Sequence, residues 1–168
     1  MRLGSLIGAC ALLTMAGFSV IADDESQGFN TKLTGFQETP PILTTGTGIF
    51  KSTLDAAGAS LSYTLTFSGL SSASTVAHIH FGQPGVAGTP IAFLCGGGGK
   101  PTCPPSGGTV TGTIVPTDVL AVPSQGINGG SFPDFLAVMR SGDAYVNVHS
   151  TNHPGGEIRG QITGGKQD

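Results

Sequence analysis

Leu61-Ser62-Tyr63-Thr64-Leu65-Thr66-Phe67-Ser68 alternates apolar and hydroxylated residues without a break. A β-strand turns successive side chains to opposite faces. The pattern therefore predicts a strand that buries Leu61, Tyr63, Leu65 and Phe67 and leaves the Ser and Thr residues outside. The same reading extends in both directions. Residues 29–36 and 47–54 read as earlier strands. Gln37-Glu38-Thr39-Pro40-Pro41 separates them, and its two prolines rule out a regular strand there. Asp55-Ala56-Ala57-Gly58 reads as a hairpin turn. Further strands are expected at 76–81, 91–94, 109–115, 144–149 and 157–163. Residues 82–88 read as a loop, and Asn152-His153-Pro154-Gly155-Gly156 joins the last two strands.

Helical signals are few. Thr117 or Asp118 is placed to cap a turn within 116–120. Residues 131–140 predict one short helix, with Phe135, Leu136, Val138 and Met139 as its apolar stripe. About eight short strands predict an all-β domain. The expected architecture is a Greek-key-like β-sandwich or flattened barrel with one or two helical turns.

The chain of 168 residues opens on Met1-Arg2 and an apolar run through Ile21. Small residues at Val20 and Ala22 suit a signal peptidase, and Asp23-Asp24-Glu25 makes a polar start. Residues 1–22 are therefore read as a signal peptide and 23–168 as one domain, exported to a periplasm or secreted. A membrane anchor and a lipoprotein box at Ile7-Gly8-Ala9-Cys10 are competing readings. The run is short and glycine-interrupted for an anchor, and it continues well past Cys10. Without Arg2 the domain carries six Lys/Arg against ten Asp/Glu, a net charge of −4. That balance gives no footprint for nucleic acid or an anionic membrane.

Two cysteines remain after the leader, Cys95 and Cys103, bracketing Gly96-Gly97-Gly98-Gly99-Lys100-Pro101-Thr102. In an oxidising compartment they predict a disulfide across this flexible loop. A Cys-His metal site is the alternative, but no histidine lies near either cysteine in sequence.

The histidines carry the chemistry. Ala77-His78-Ile79-His80 puts two imidazoles on one face of a strand, and Tyr145-Val146-Asn147-Val148-His149 puts His149 on one face with Asn147. With Ile79, Val146 and Val148 turned to the core, His78, His80 and His149 all point out of it. A surface cluster of imidazoles suits a transition metal, copper before zinc because divalent affinity peaks at copper. His153, in the following loop, is a candidate fourth ligand. Solvent-facing or hydrogen-bonded imidazoles with no metal are the plainer reading. Glu157, Arg159 and Gln161 share a face if the last strand is regular. A Glu157–Arg159 ion pair at the sheet edge is expected, with a role beside the metal or as an anion guide as the sharper reading. Glu38 reads as a structural acceptor in its turn. No Gly-x-Ser-x-Gly elbow, Gly-x-Gly-x-x-Gly fingerprint or P-loop is present. No helix start follows Gly96 to Gly99, so that tract is no phosphate cradle.

Leu33-Thr34-Gly35-Phe36-Gln37-Glu38-Thr39-Pro40-Pro41, Ala77-His78-Ile79-His80-Phe81-Gly82, Tyr145-Val146-Asn147-Val148-His149-Ser150 and Pro154-Gly155-Gly156-Glu157-Ile158-Arg159-Gly160-Gln161-Ile162 together resemble the CHRD domain. That resemblance implies an extracellular, mostly-β domain and little about chemistry. The order of the His-x-His, Val-x-Val-His and Gly-Gly-x-x-Arg-Gly segments is also similar to copper-zinc superoxide dismutase. By that likeness His78, His80 and His149 would hold copper, with Arg159 as the nearby cation. The zinc-ligand loop of that family is not evident between Phe81 and Cys95. The expectation is a non-catalytic module binding a metal or an extracytoplasmic partner. A structural or adhesive module and a copper redox enzyme are the alternatives.

Overall fold

In the computed structural model, the structure describes residues 28–165. The expected leader, 1–22, lies outside the described residues. The strands are β1 (Gly28–Thr34), β2 (Thr47–Leu54), β3 (Leu61–Ser68), β4 (Ser74–Phe81), β5 (Thr89–Cys95), β6 (Gly108–Ile114), β7 (Ala144–Ser150), β8 (Ile158–Gln161) and the two-residue β9 (Thr163–Gly164). All pair antiparallel in the order β5-β4-β7-β8-β1-β2-β3-β6, with β9 added to β1. The sheet curls until its edge strands β5 and β6 approach each other, so the expected flattened barrel is nearly closed. Counted around the nearly closed barrel, the β3–β4 connection skips β6 and β5, and the β6–β7 connection skips β5 and β4, which makes the topology Greek-key-like.

The opening strand is as regular as its sequence predicts. Leu61, Tyr63, Leu65 and Phe67 are buried, and Ser62, Thr64, Thr66 and Ser68 are exposed. β2 alternates in the same way, with Phe50 and Leu54 in the core. Phe29, Leu33, Ile79, Leu94, Ile114, Val146, Val148 and Ile158 complete the interior. The one α-helix among the described residues, α1 (Phe132–Ser141), adds Phe132, Phe135, Leu136, Val138 and Met139 to it. Ser131 caps α1 by accepting from the Asp134 amide, and Gly142 ends it at φ 80°.

Two expected strands are shorter than their apolar pattern. Gly35–Gln37 turns into a 3-10 helix after β1, where the Gly35 carbonyl accepts from the amides of Glu38 and Ile42. The expected strand 157–163 divides at Ile162 into β8, paired with β7, and β9, paired with β1.

The gap between β5 and β6 is closed by side chains and loops rather than by a ladder. The Tyr63 hydroxyl donates to the Leu94 carbonyl at 2.6 Å. Cys95 and Cys103 form the expected disulfide. Within its loop, Lys100 donates to the Thr113 carbonyl of β6 and pairs with Asp118, both at 2.6 Å. The double variant Cys95→Ala/Cys103→Ala is expected to lose about 2–3 kcal/mol of stability through restored chain entropy. Equilibrium urea unfolding measures it, and an unchanged midpoint contradicts the staple.

Candidate metal centre

The pairing of β4 with β7 sets the site. Across β5-β4-β7-β8 the register aligns Phe93, His78, Asn147 and Arg159 in one row. His80, Tyr145 and Gln161 lie in the next, and His149 faces Val76. Ala77, Ile79, Val146 and Val148 fill the barrel interior, so this second set lies on its outer face.

That face is not solvent-exposed, which corrects the expected surface cluster. His78 is 9 %, His80 7 % and His149 8 % exposed. Three loops cover them. The loop 82–88 sits over β7 and β8, where its Val86 and Gln83 carbonyls each accept from Arg159 at 2.8 Å. The segment after β1 brings Glu38 onto Asn147. The turn after β7 brings the Pro154 carbonyl onto His149. Alternation reported the direction of the side chains correctly, but the covering loops come from distant parts of the chain.

The three rings converge. One ligand-type nitrogen from each of His78, His80 and His149 lies within 4.8 Å of the other two. His80 Nδ1 is 3.0 Å from the Gly88 carbonyl, and His149 Nδ1 is 2.8 Å from the Pro154 carbonyl. A carbonyl only accepts, so both rings carry their proton on Nδ1 and present a bare Nε2. His149 Nε2 is 3.2 Å from His78 Nδ1. His80 Nε2 is buried with no hydrogen-bond partner. Glycine is required beside the network at Gly156, whose φ is 123° and where a Cβ would strike the Asn147 amide.

Charge is excluded from the rings. Burial, reinforced by His149 and His80, pushes His78 down to about 4 from the ordinary 6.5. Burial likewise pushes His80 to about 4, opposed by the Gly88 bond and helped by His149 and Arg159. His149 is lowered by burial against the Pro154 bond.

The remaining expected residues separate. His153 lies outside the three-ring group, and its backbone closes a turn with Ser150. Glu157 precedes β8 and makes no ion pair with Arg159. Its carboxylate instead accepts from Thr44 Oγ1, from the Ser71 amide and hydroxyl, and from Ser150 Oγ. Burial opposes its ionisation, but those bonds prevail and hold it below its ordinary value. Arg159 is 2 % exposed and stacks on Tyr145, with the guanidinium carbon 3.4 Å from the ring centroid. The Tyr145 ring stacks in turn on His80 at 4.7 Å. β7 runs between β4 and β8, so Tyr145 separates the imidazole from the cation.

Tyr145, Asn147 and Glu38 were not singled out as site residues from sequence. The first two share the alternation of His149, so period two held the signal. Glu38 accepts from the Asn147 side chain as well as from the Thr39 backbone in its own turn. Burial raises its carboxyl to about 7, against the lowering by Arg159, Asn147 and Thr39. Only the fold brings it there.

A model of the CHRD domain matches residues 29–162. The chain belongs to the CHRD domain family. No curated protein and no solved structure matches it. In this CHRD domain two of the four family-like motifs, around His78 and His149, supply the imidazoles, and the Glu38 and Pro154 motifs supply much of their cover.

The buried imidazoles set a pH dependence. The unfolded chain takes up protons near pH 6.5, before the folded rings do. Their stabilisation is complete above that pH and is lost as pH falls toward 4. Glu38 acts oppositely: its contribution is complete below 4.5 and lost as pH rises through about 7. Three groups outweigh one, so the metal-free melting temperature should fall from pH 6.5 to 4, more steeply in Glu38→Gln. Thermal melts across that range check it, and a flat profile contradicts the neutral, buried rings.

Proposed function

We propose that this CHRD domain is an exported module that binds one transition-metal ion, copper in preference to zinc, through His78, His80 and His149. The observation that carries the reading is His80 Nε2. A buried polar atom without a partner costs about 1–3 kcal/mol, and folded proteins rarely leave one so. The Gly88 carbonyl accepts a hydrogen bond from Nδ1–H, so Nε2 of this ring, one of the three grouped imidazoles, carries a free lone pair. Metal-ligating histidines are commonly oriented by such a bond from the other ring nitrogen. In the metal-free protein His78 Nδ1 donates to His149 Nε2. A bound ion replaces that hydrogen bond, and the single ring proton of His78 shifts from Nδ1 to Nε2.

Binding, rather than redox catalysis, is the reading favoured by Arg159. Its terminal guanidinium nitrogens donate to Val86, Gln83, Gln161 and Thr39 and one face stacks on Tyr145, so these donors are spent within the protein rather than on an anion. Export fits the apolar leader and the disulfide, which belongs in an oxidising compartment.

The test is metal content after equilibration with copper or zinc and desalting. One ion per chain is expected for the wild type, and none for His78→Ala/His80→Ala/His149→Ala. Ligand at a hundredfold excess over Kd should also add about 2.7 kcal/mol of stability to the wild type alone. Equal, weak retention by both proteins would make this a structural or adhesive domain instead.

A further inference from the structure

We infer that the three-imidazole site selects a monovalent d10 ion, Cu(I), over Cu(II) and Zn(II). The inference rests on the reading of His78, His80 and His149 as ligands and deepens it.

The first support is the donor set. The group holds three imidazole nitrogens and, among the described residues, no carboxylate or thiolate. Glu38 is engaged by Asn147, and Glu157 by Thr44, Ser71 and Ser150. Zn(II) favours four tetrahedral ligands and Cu(II) a tetragonal set. Monovalent Cu(I) is satisfied by three nitrogens, whereas Zn(II) on three imidazoles still takes a fourth ligand such as water. The increase of affinity toward copper among divalent ions does not bear on this choice of oxidation state.

The second support is charge. None of the donors is anionic, and each ring is at most 9 % exposed. The cost of burying an ion rises with the square of its charge, so a divalent ion is penalised about four times as heavily as a monovalent one. A fixed cation adds to this. The stack of His80 on Tyr145 at 4.7 Å and of Tyr145 on Arg159 at 3.4 Å puts the guanidinium about 8 Å from the His80 ring. At that separation and an effective dielectric constant of about 20, Coulomb repulsion of the second charge costs about 30-fold in affinity. Arg159 cannot swing away, because the Val86 and Gln83 carbonyls and Tyr145 hold it.

The experiment is anaerobic competition on the whole domain at neutral pH. Cu(I) is titrated against bathocuproine disulfonate, Ag(I) serves as its redox-inert analogue, and Cu(II) and Zn(II) are titrated against chelators of matched affinity. Cu(I) should bind one per chain about 30-fold more tightly than Zn(II) or Cu(II), with Ag(I) also bound. Zn(II) or Cu(II) bound as tightly as Cu(I) at one per chain would overturn the preference and leave the metal site standing. If no ion binds at one per chain, the site itself fails and the preference with it.

Discussion

The antiparallel pairing of β4 with β7 is the constraint on which the rest of the site depends. Its register sets His78 against Asn147 and His80 against Tyr145, and leaves His149 one pair further along. A slip of one residue would turn every one of these side chains to the opposite face. The register is held from inside, where Ala77, Ile79, Val146 and Val148 are fully buried. The hydrophobic interior of the barrel thus fixes the position of polar groups on its exterior.

Those exterior groups form a second, polar layer beneath three loops. Its parts satisfy one another: Glu38 takes Asn147, Arg159 takes two loop carbonyls and the Tyr145 face, and Gly88 and Pro154 take the imidazole protons. Two buried atoms are left over, His80 Nε2 and Asn147 Oδ1. A polar layer that is nearly but not fully satisfied is costly if its only role is structural. The leftover nitrogen belongs to one of the three grouped rings, so the imbalance is concentrated where an ion would be held.

Much of this was legible in the sequence and some was not. Period two in 61–68 gave the strand and its buried side, because both faces of β3 have simple environments. The same rule grouped His78 and His80, and it aligned Asn147 with His149. It failed for burial. In β7 all seven residues are buried, so polarity no longer marks the solvent side. The cover is formed by Pro154 in a nearby turn and by Glu38 and Gly88, which lie far along the chain. Glu157 was misread for a related reason. Strand alternation was extended one residue too far, onto a position whose carboxylate belongs to Ser150, Ser71 and Thr44.

The central claim is that three particular ring nitrogens face one another in a dry site. Long-range proton–nitrogen NMR of the histidine rings reads it directly. The account predicts that His80 and His149 are Nδ1-protonated tautomers in the metal-free domain. It further predicts that Ag(I) perturbs Nε2 of both rings and Nδ1 of His78, while His153 is unchanged. Mixed tautomers at His80 and His149, or Ag(I) shifts confined to His153, would contradict it.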